Sequence, residues 1–432
     1  MKRGARAHLA VATLVCAVLT WGVGAQTVVT VATWGDTGRY VEVLAEQYRE
    51  TNPDVTLNVV EWGAPEEFRN GVLTQIAAGQ TPDVVYSSSS TGLHWAPVGL
   101  LEPINAFVEV ERYDLSRIPP FALKSVDVYG DGTYWCMPFS AFTINFVFNA
   151  DMFDEAGLAA PGPDWRWTDD FVEAAGALTR DTNGDGMPEV YGFSAGYHES
   201  HVAYGVLRSF GASVLDPSFR RPTFNSPEMS DFLHFWKDLV DRGVASPLPY
   251  RGGAFAEGGY GMTLWNLIPG NVTTVRWGLE LMPLGPTGER FTYGDTNNWC
   301  IMAGSANKAE AWELVKFLAE ESPKVWSDNG IRLPLYPYMD VREWTFAPNT
   351  PALREGTAPA DLSVLFENQL SAENWPRPGE IALRGIWTVE VERVFRGEVS
   401  VGAALEEIQR LADVGLRTWW EGQAVIEWLP GT

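Results

Sequence analysis

A chain of 432 residues is too long for one ordinary hydrophobic core and suits two domains of about 150 to 200 residues each. Its 31 basic and 55 acidic residues leave a net charge of −24, a surface that repels nucleic acid and anionic membranes and so excludes both as partners. Nineteen tryptophans exceed the needs of such a core, and many sit beside Gly, Asn, Pro or Ser, so some are expected to line a cavity.

The first predicted element is a removable leader. Lys2, Arg3 and Arg6 give a positive start, Leu9 to Trp21 a short apolar stretch, and Val23-Gly24-Ala25 a small-residue cleavage site. The leader is too short and wrongly flanked to span a membrane, and nothing later approaches about 18 uninterrupted apolar residues. Cys16 follows Val15, where a lipid anchor needs a small residue, so the mature protein is expected free, beginning at Gln26, in the periplasm or outside the cell. Cys136 and Cys300 are then an even pair in an oxidising compartment, which their spacing alone does not join.

Val28 to Thr33 alternates as a strand, Val41 to Glu50 reads as an amphipathic helix and Val55 to Val60 as a second strand, together a β-α-β unit. Phe68 to Ala78 repeats that helical spacing, Gly79 to Pro82 breaks it, and Asp83 to Tyr86 is a short buried strand of a growing parallel sheet. Past the Gly130-Asp131-Gly132 turn, Thr133 to Asn149 is expected as one extended crossing strand. Helices follow at Thr168 to Leu178 and Ser230 to Val240, each opened by its Thr or Ser. Asn297 to Gly304 is extended and leads into a helix at Lys308 to Glu320, with Ala311, Trp312, Val315 and Leu318 on its apolar face; Leu333 to Pro337 is a third crossing.

In an open α/β sheet, ligands sit beyond the carboxyl ends of parallel strands. Trp34, Asp36 and Arg39 follow the first strand, Glu61 and Trp62 the second, and Ser87 to Thr91 (Ser88 and Ser89 among them), His94 and Trp95 the third. Indole faces stack on the C–H face of a pyranose, and carboxylate, amide and guanidinium groups match paired sugar hydroxyls. Ser87 to Ser90 offer an alternative, a phosphate-bearing ligand of the glycerol-phosphate type, or a polyol. Asp36 and Glu61 offer another, the paired carboxylates of a secreted glycoside-active enzyme. No GxSxG, HExxH, Gly-rich phosphate loop or Ser/His/Asp set with confirming context accompanies them, Gly192-Phe193-Ser194-Ala195-Gly196 matching the first pattern in spacing alone, so a non-enzyme is expected.

Two further clusters have competing readings. Asp181, Asn183 and Asp185, with Gly186 at the turn, fit the first half of a calcium loop; Gly192 stands where a bidentate Glu belongs, and Glu189 is the nearby carboxylate. A structural calcium or a plain turn both satisfy this pattern, and no other cofactor is implied. His198 and His201 lack a third ligand and read as a surface or cleft-edge pair.

Several segments stand in a recognisable order: Val28 to Asp36, Ala78-Gly79-Gln80-Thr81-Pro82-Asp83, Gly99-Leu100-Leu101-Glu102-Pro103, Gly132 to Pro138, Phe148 to Phe153, Phe255-Ala256-Glu257-Gly258 with Gly261-Met262-Thr263, and Ala309 to Ala319. In this order the chain resembles the extracellular solute-binding proteins of bacterial ABC importers, the family that includes maltose- and oligosaccharide-binding proteins. The resemblance implies a two-lobed periplasmic-binding-protein fold of type II, α/β in both lobes and joined by hinge strands. It implies a leader at 1–25, lobe one at 26–137 plus 300–333, and lobe two at 138–299 plus 334–432, with the tail from Trp375 to Ala412 packed on lobe two. It further implies that Trp265, Asn266, Asn298, Trp299, Trp375 and Arg377 reach the cleft from the other side, and that Cys136 and Cys300 lie on neighbouring crossing strands where they can bridge. The expected protein is a monomer that closes on a carbohydrate, most simply an oligosaccharide, and delivers it to the permease subunits.

Overall fold

The computed structural model describes residues 26–88, 92–194, 196, 200–247, 255–265, 272–328, 333–335, 352, 355–359, 362–375 and 379–421. The leader with Cys16, and Ser89, His198, Asn266 and Arg377, lie outside these residues. The described elements are β1 (Thr27–Trp34), α1 (Gly38–Thr51), β2 (Val55–Trp62), α2 (Pro65–Ala77), β3 (Val84–Ser87), β4 (Leu101–Glu102), α3 (Asn105–Glu111), α4 (Pro120–Val126), β5 (Met137–Thr143) and β6 (Asn145–Asn149). They continue with α5 (Ala150–Ala156), α6 (Asp170–Leu178), β7 (Tyr191–Ser194), α7 (Ser200–Ser209), α8 (Pro227–Asp241), β8 (Tyr260–Trp265), β9 (Trp277–Glu280), β10 (Thr292–Met302) and α9 (Lys308–Asp328). The chain closes with β11 (Leu333–Pro334), α10 (Val364–Leu370), β12 (Ala372–Glu373), α11 (Glu380–Phe395) and α12 (Val401–Trp420).

Two sheets organise two lobes. Sheet one has the order β11-β5-β10-β3-β1-β2, with β4 and β12 also paired to β10; sheet two has the order β7-β8-β6-β9. The β1-α1-β2 unit forms as its alternation requires, parallel in register from Thr27 opposite Val55 to Trp34 opposite Trp62. Both faces of sheet one are covered, as befits parallel strands. Val29 and Val31 face a core shared with Tyr40, Leu44, Trp312 and Leu318 of α1 and α9, whereas Ala32 faces Phe68 and Val72 of α2. In sheet two Phe146, Phe193 and Met262 pack against Phe171, Trp236 and Trp387, and Val147 on the opposite face packs against Trp277 and Leu365.

The expected crossing strand from Thr133 to Asn149 is two strands in two sheets. β5 stays in sheet one through Thr143, and Ile144 turns the chain into β6, its N–H donating to the Tyr293 carbonyl at 2.8 Å. β10 makes the return at the same level, with Gly294 opposite Thr143. The exchange between sheets therefore falls about six residues after Met137 on the outgoing strand and about six before Cys300 on the returning one. The third contact at Leu333–Pro334 pairs with β5 at Ala141 and Ser140.

Helix starts also differ from the sequence reading. α8 is capped by Ser226, whose hydroxyl accepts from Met229 N–H at 3.2 Å, because Pro227 suits the first helical position; Ser230 lies inside. α6 starts after Asp169 without a side-chain cap, so Thr168 caps nothing. α9 runs eight residues past Glu320 and keeps Pro323 inside, while its Ala311, Trp312, Val315 and Leu318 are all buried as the spacing requires. Cys136 and Cys300 form a disulfide that ties the start of β5 to β10. It closes 164 residues of chain, a constraint on the unfolded state worth ~2–5 kcal/mol.

Candidate ligand-binding cleft

The parallel register of sheet one sets Thr33 opposite Glu61 and Trp34 opposite Trp62, so four side chains from distant segments meet at one rim. Gly35, at φ 67°, turns the chain out of β1 where a side chain would be strained, and α1 begins three residues later. The Gly38 N–H donates to Glu61 Oε1 at 2.9 Å, placing a carboxylate at the positive start of α1. A Cβ at Gly38 would lie 2.4 Å from Glu61 Oε2, so glycine is what lets the carboxylate sit there. Arg39 is exposed, with its Nη2 donating to the Tyr40 hydroxyl at 2.7 Å and its guanidinium 4.7 Å over that ring. Gly35, Arg39, Glu61, Trp62 and Gly63 line a cavity of about 350 Å³.

Both rim indoles are half-buried and held edge-on. Trp34 stands 5.8 Å from Tyr86, and its Nε1 is buried with no partner among the described residues. Trp62 stands 5.8 Å from Phe68 and lies over Gly71 of α2, where a Cβ would approach its Nε1 to 2.2 Å. Ser88 is buried at the end of β3, and Asp36 lies in the 3-10 turn Gly35–Thr37. His94 follows in a second 3-10 turn with its Nδ1 buried and unpartnered among the described residues. Burial first, and the Arg69 charge second, pull its pKa down to about 4.

Three tryptophans expected in the cleft are core residues. Trp299 is fully buried in the middle of β10, stacked 5.5 Å from Phe139, and its Nε1 donates to the Ser322 hydroxyl at 3.1 Å. Trp375 is fully buried 5.3 Å from Tyr204, and Trp95 is packed 5.7 Å from Phe68. Their rings fill the space between sheet and helix, which removes them from a ligand's reach in this structure.

On lobe two, Trp265 is half-buried at the end of β8 and edge-on to Phe255 at 6.0 Å. It pairs with Asn145, whose Oδ1 accepts from Asn368 Nδ2 and from the Thr143 hydroxyl, each at 3.0 Å. Between β3 and β5, β10 carries a buried polar ladder. The Tyr86 hydroxyl donates to Asn297 Oδ1 at 2.7 Å, Asn297 Nδ2 donates to Ser140 Oγ at 3.0 Å, and Thr296 Oγ1 donates to Asn298 Oδ1 at 2.8 Å. Asn298 Nδ2 donates to the carbonyls of Thr296 at 3.1 Å and Ser87 at 3.4 Å, so its amide holds the hinge strand. Asn145, Asn368 and Tyr86 were not among the expected residues. A usable signal did exist for the ladder, namely four consecutive polar residues, Asp295 to Asn298, inside an otherwise apolar strand.

The Asp181 loop draws three of its expected groups together. Carboxylate oxygens of Asp181, Asp185 and Glu189 lie within 4.8 Å of one another, all exposed. Asp181 also accepts from Gly186 N–H at 2.8 Å and Gly184 N–H at 2.6 Å, bonds that hold its carboxyl below the usual range. Asn183 Oδ1 accepts from Asp185 N–H at 2.8 Å, and Glu189 Oε2 accepts from Thr182 N–H at 2.7 Å. His201 sits with Arg384, Nδ1 to Nη2 at 3.3 Å.

Two α/β lobes, joined by strands that pass from one sheet to the other and bearing aromatic and polar groups at strand ends, define a two-lobed binding protein. Comparison with known proteins gives the same class. A family model described as bacterial extracellular solute-binding protein matches residues 32–324, and the chain belongs to that family. A maltotriose-binding protein of Pyrococcus abyssi is 24 % identical over 307 residues, covering 68 % of this chain and 62 % of that protein. A mannitol-binding protein of Pseudomonas aeruginosa is 28 % identical over 251 residues, covering 56 % of this chain and 53 % of that protein. Among solved structures, an ABC substrate-binding protein of Listeria monocytogenes in complex with cycloalternan superposes with a TM-score of 0.72 at 21 % identity, over 90 % of this chain and 99 % of that one. The sugar-binding protein MalE of Xanthomonas citri does so with a TM-score of 0.72 at 20 % identity, over 92 % and 100 %.

Proposed function

We propose that this protein captures a carbohydrate, an oligosaccharide above all, between its lobes and passes it chemically unaltered to an ABC permease. The observation that carries this reading is the meeting of Glu61, Trp62 and Arg39 around a cavity of about 350 Å³ at the carboxyl ends of parallel strands, with Trp34 paired to Trp62 beside it. Indole faces and a carboxylate at one rim suit a pyranose, and Trp265 supplies a second aromatic group from the other lobe. A ligand that contacts both lobes only in the closed arrangement shifts the population toward it, and closure is what the permease reads. The maltotriose-binding relative supports the oligosaccharide, and the mannitol-binding one makes a polyol the second reading.

Capture without chemistry is supported by the engagement of Glu61 with the Gly38 N–H, which makes that carboxylate part of the start of α1. Incubation of the purified protein with maltotriose, read by calorimetry and product chromatography, tests this directly. Saturable one-to-one binding with no shorter sugar supports the carrier, shorter sugars support a glycoside-active enzyme, and binding of mannitol in place of maltotriose supports the polyol. Export with cleavage after Ala25, giving a free monomer that starts at Gln26, belongs to the same reading and is checked by N-terminal sequencing of the secreted protein. A structural calcium at Asp181, Asp185 and Glu189 is supported by their all-oxygen donor set. Its test is a calcium-dependent rise in Tm that Asp185→Asn abolishes; no rise makes the loop a plain turn.

A further inference from the structure

An aromatic contact joins the lobes away from the cavity at the strand ends. On lobe one it is carried by the hairpin that closes at the Asp127 and Tyr134 bridge and holds Tyr129 and Gly130 at its tip. On lobe two it is carried by the loop from Asp216 to Arg221 and by the end of α12. The Tyr129 ring lies 5.3 Å from Trp419 and 6.4 Å from Trp420, and the two indoles are perpendicular at 4.7 Å. Trp419 packs with the α2-side core of sheet one, while Trp420 packs with the core of lobe two, so adjacent residues of one helix are embedded in different lobes. Trp420 Nε1 donates to the Phe219 carbonyl at 3.0 Å, and the Arg220 guanidinium lies 3.5 Å over the Trp420 ring.

Phe219 reaches back to lobe one. Its ring is so close to Gly130 that a Cβ there would lie 3.0 Å away, and Phe219 itself has φ 54°, a costly backbone for an aromatic residue. Asp216 imposes this shape by accepting from the N–H groups of Arg220 at 2.9 Å and Arg221 at 3.0 Å and from the Ser218 hydroxyl at 2.8 Å. Strain of this kind persists only where the surroundings over-determine it, and here it presents a ring across the boundary between lobes.

Lobes that hinge around a ligand must make, break or slide any contact outside the hinge strands. None of the clasp residues lines the cavity at Gly35 and Glu61. We propose that the clasp of Tyr129, Gly130, Phe219, Arg220, Trp419 and Trp420 is an affinity-determining contact. Its free energy enters the equilibrium between lobe arrangements, and so sets ligand affinity at a place the ligand does not touch. This inference rests on the proposed binding by hinge closure, and its test separates the two.

Trp419→Ala and Arg220→Gln are compared with the unaltered mature chain by small-angle X-ray scattering without ligand and by titration with maltotriose. Trp419→Ala is expected to shift Kd by roughly two- to tenfold, the range of a lost aromatic pair, and Arg220→Gln by less. The radius of gyration is expected to move with affinity, a more compact ligand-free protein binding more tightly and a more open one less tightly. Unchanged Kd and radius in Trp419→Ala overturn the proposal, and so does a changed Kd at unchanged radius. If maltotriose fails to bind the unaltered protein, the carbohydrate reading fails, yet the radius still decides the clasp: a shift supports it and no shift overturns it. Should Trp419→Ala not fold, Arg220→Gln, which alters an exposed residue, is judged by the same criteria.

Discussion

The carboxyl rim of sheet one and the middle of β10 are built from the same residue types, yet they do opposite work. At the rim, Trp34 and Trp62 end their strands and stay half-buried, and the chain beyond turns away at Gly35 and Gly63. In β10, Trp299 has paired strands on both sides and Phe139 against its face, and its indole N–H is already bonded to Ser322. The asparagines follow the same rule, Asn298 being consumed by the hinge ladder. Position along the strand, more than side-chain chemistry, decides which aromatic groups a ligand can meet.

The largest expected effect is on the core side of this comparison. Trp299→Ala should lower the unfolding free energy by about 3–5 kcal/mol through the cavity left, with Ser322 losing its partner as well. Denaturant melts measure it, and a loss below about 1 kcal/mol would place Trp299 with the rim residues. Next in size is the bridge beside it. Replacing Cys136 and Cys300 together by serine should cost ~2–5 kcal/mol while leaving maltotriose affinity within about twofold, because the pair lies in the α2-side core and does not line the cavity at Gly35 and Glu61.

Much of the fold was legible from periodicity, because β1, α1, β2 and the apolar face of α9 are each dictated by local pattern and a buried face. The rim was legible for a related reason: once two strands are parallel neighbours, whatever follows them in sequence must converge. What was not legible was depth. A tryptophan such as Trp375 or Trp95, next to a turn signal, looks available in sequence, and only tertiary packing against Tyr204 or Phe68 withdraws it. The break at Ile144 was hidden for another reason: β5 and β6 are buried almost throughout, and the only local mark of the change of sheet is the polar pair Thr143 and Asn145 around Ile144, which a single extended strand would also accommodate.

On the rim side, Trp62→Ala should weaken maltotriose binding roughly tenfold and cost only about 1 kcal/mol of stability, the value of its edge contact with Phe68. Calorimetric titration and a denaturant melt on the same preparation give both numbers. Stability lost without affinity would move Trp62 to the core class and leave Trp34 as the rim's one indole.

The smallest expected effect sharpens the same contrast at a residue that shares features of both regions. His94 follows the β3 rim in sequence but is held by burial, reinforced by Arg69, at a pKa of about 4 against an ordinary 6.5. In the folded protein it is therefore neutral across the interval in which the unfolded chain takes up a proton. Its contribution to stability is complete above pH 6.5 and is lost as pH falls from 6.5 toward 4. The 55 acidic residues titrate over part of that range, so the test is a difference: urea midpoints of the native chain and of His94→Gln at pH 7.5 and about pH 5.8. The native chain should lose about 1 kcal/mol more than the variant between the two pH values. Equal losses would mean that His94 is wet enough to protonate normally, which would open the rim of β3 to solvent and add His94 to the residues a ligand can reach.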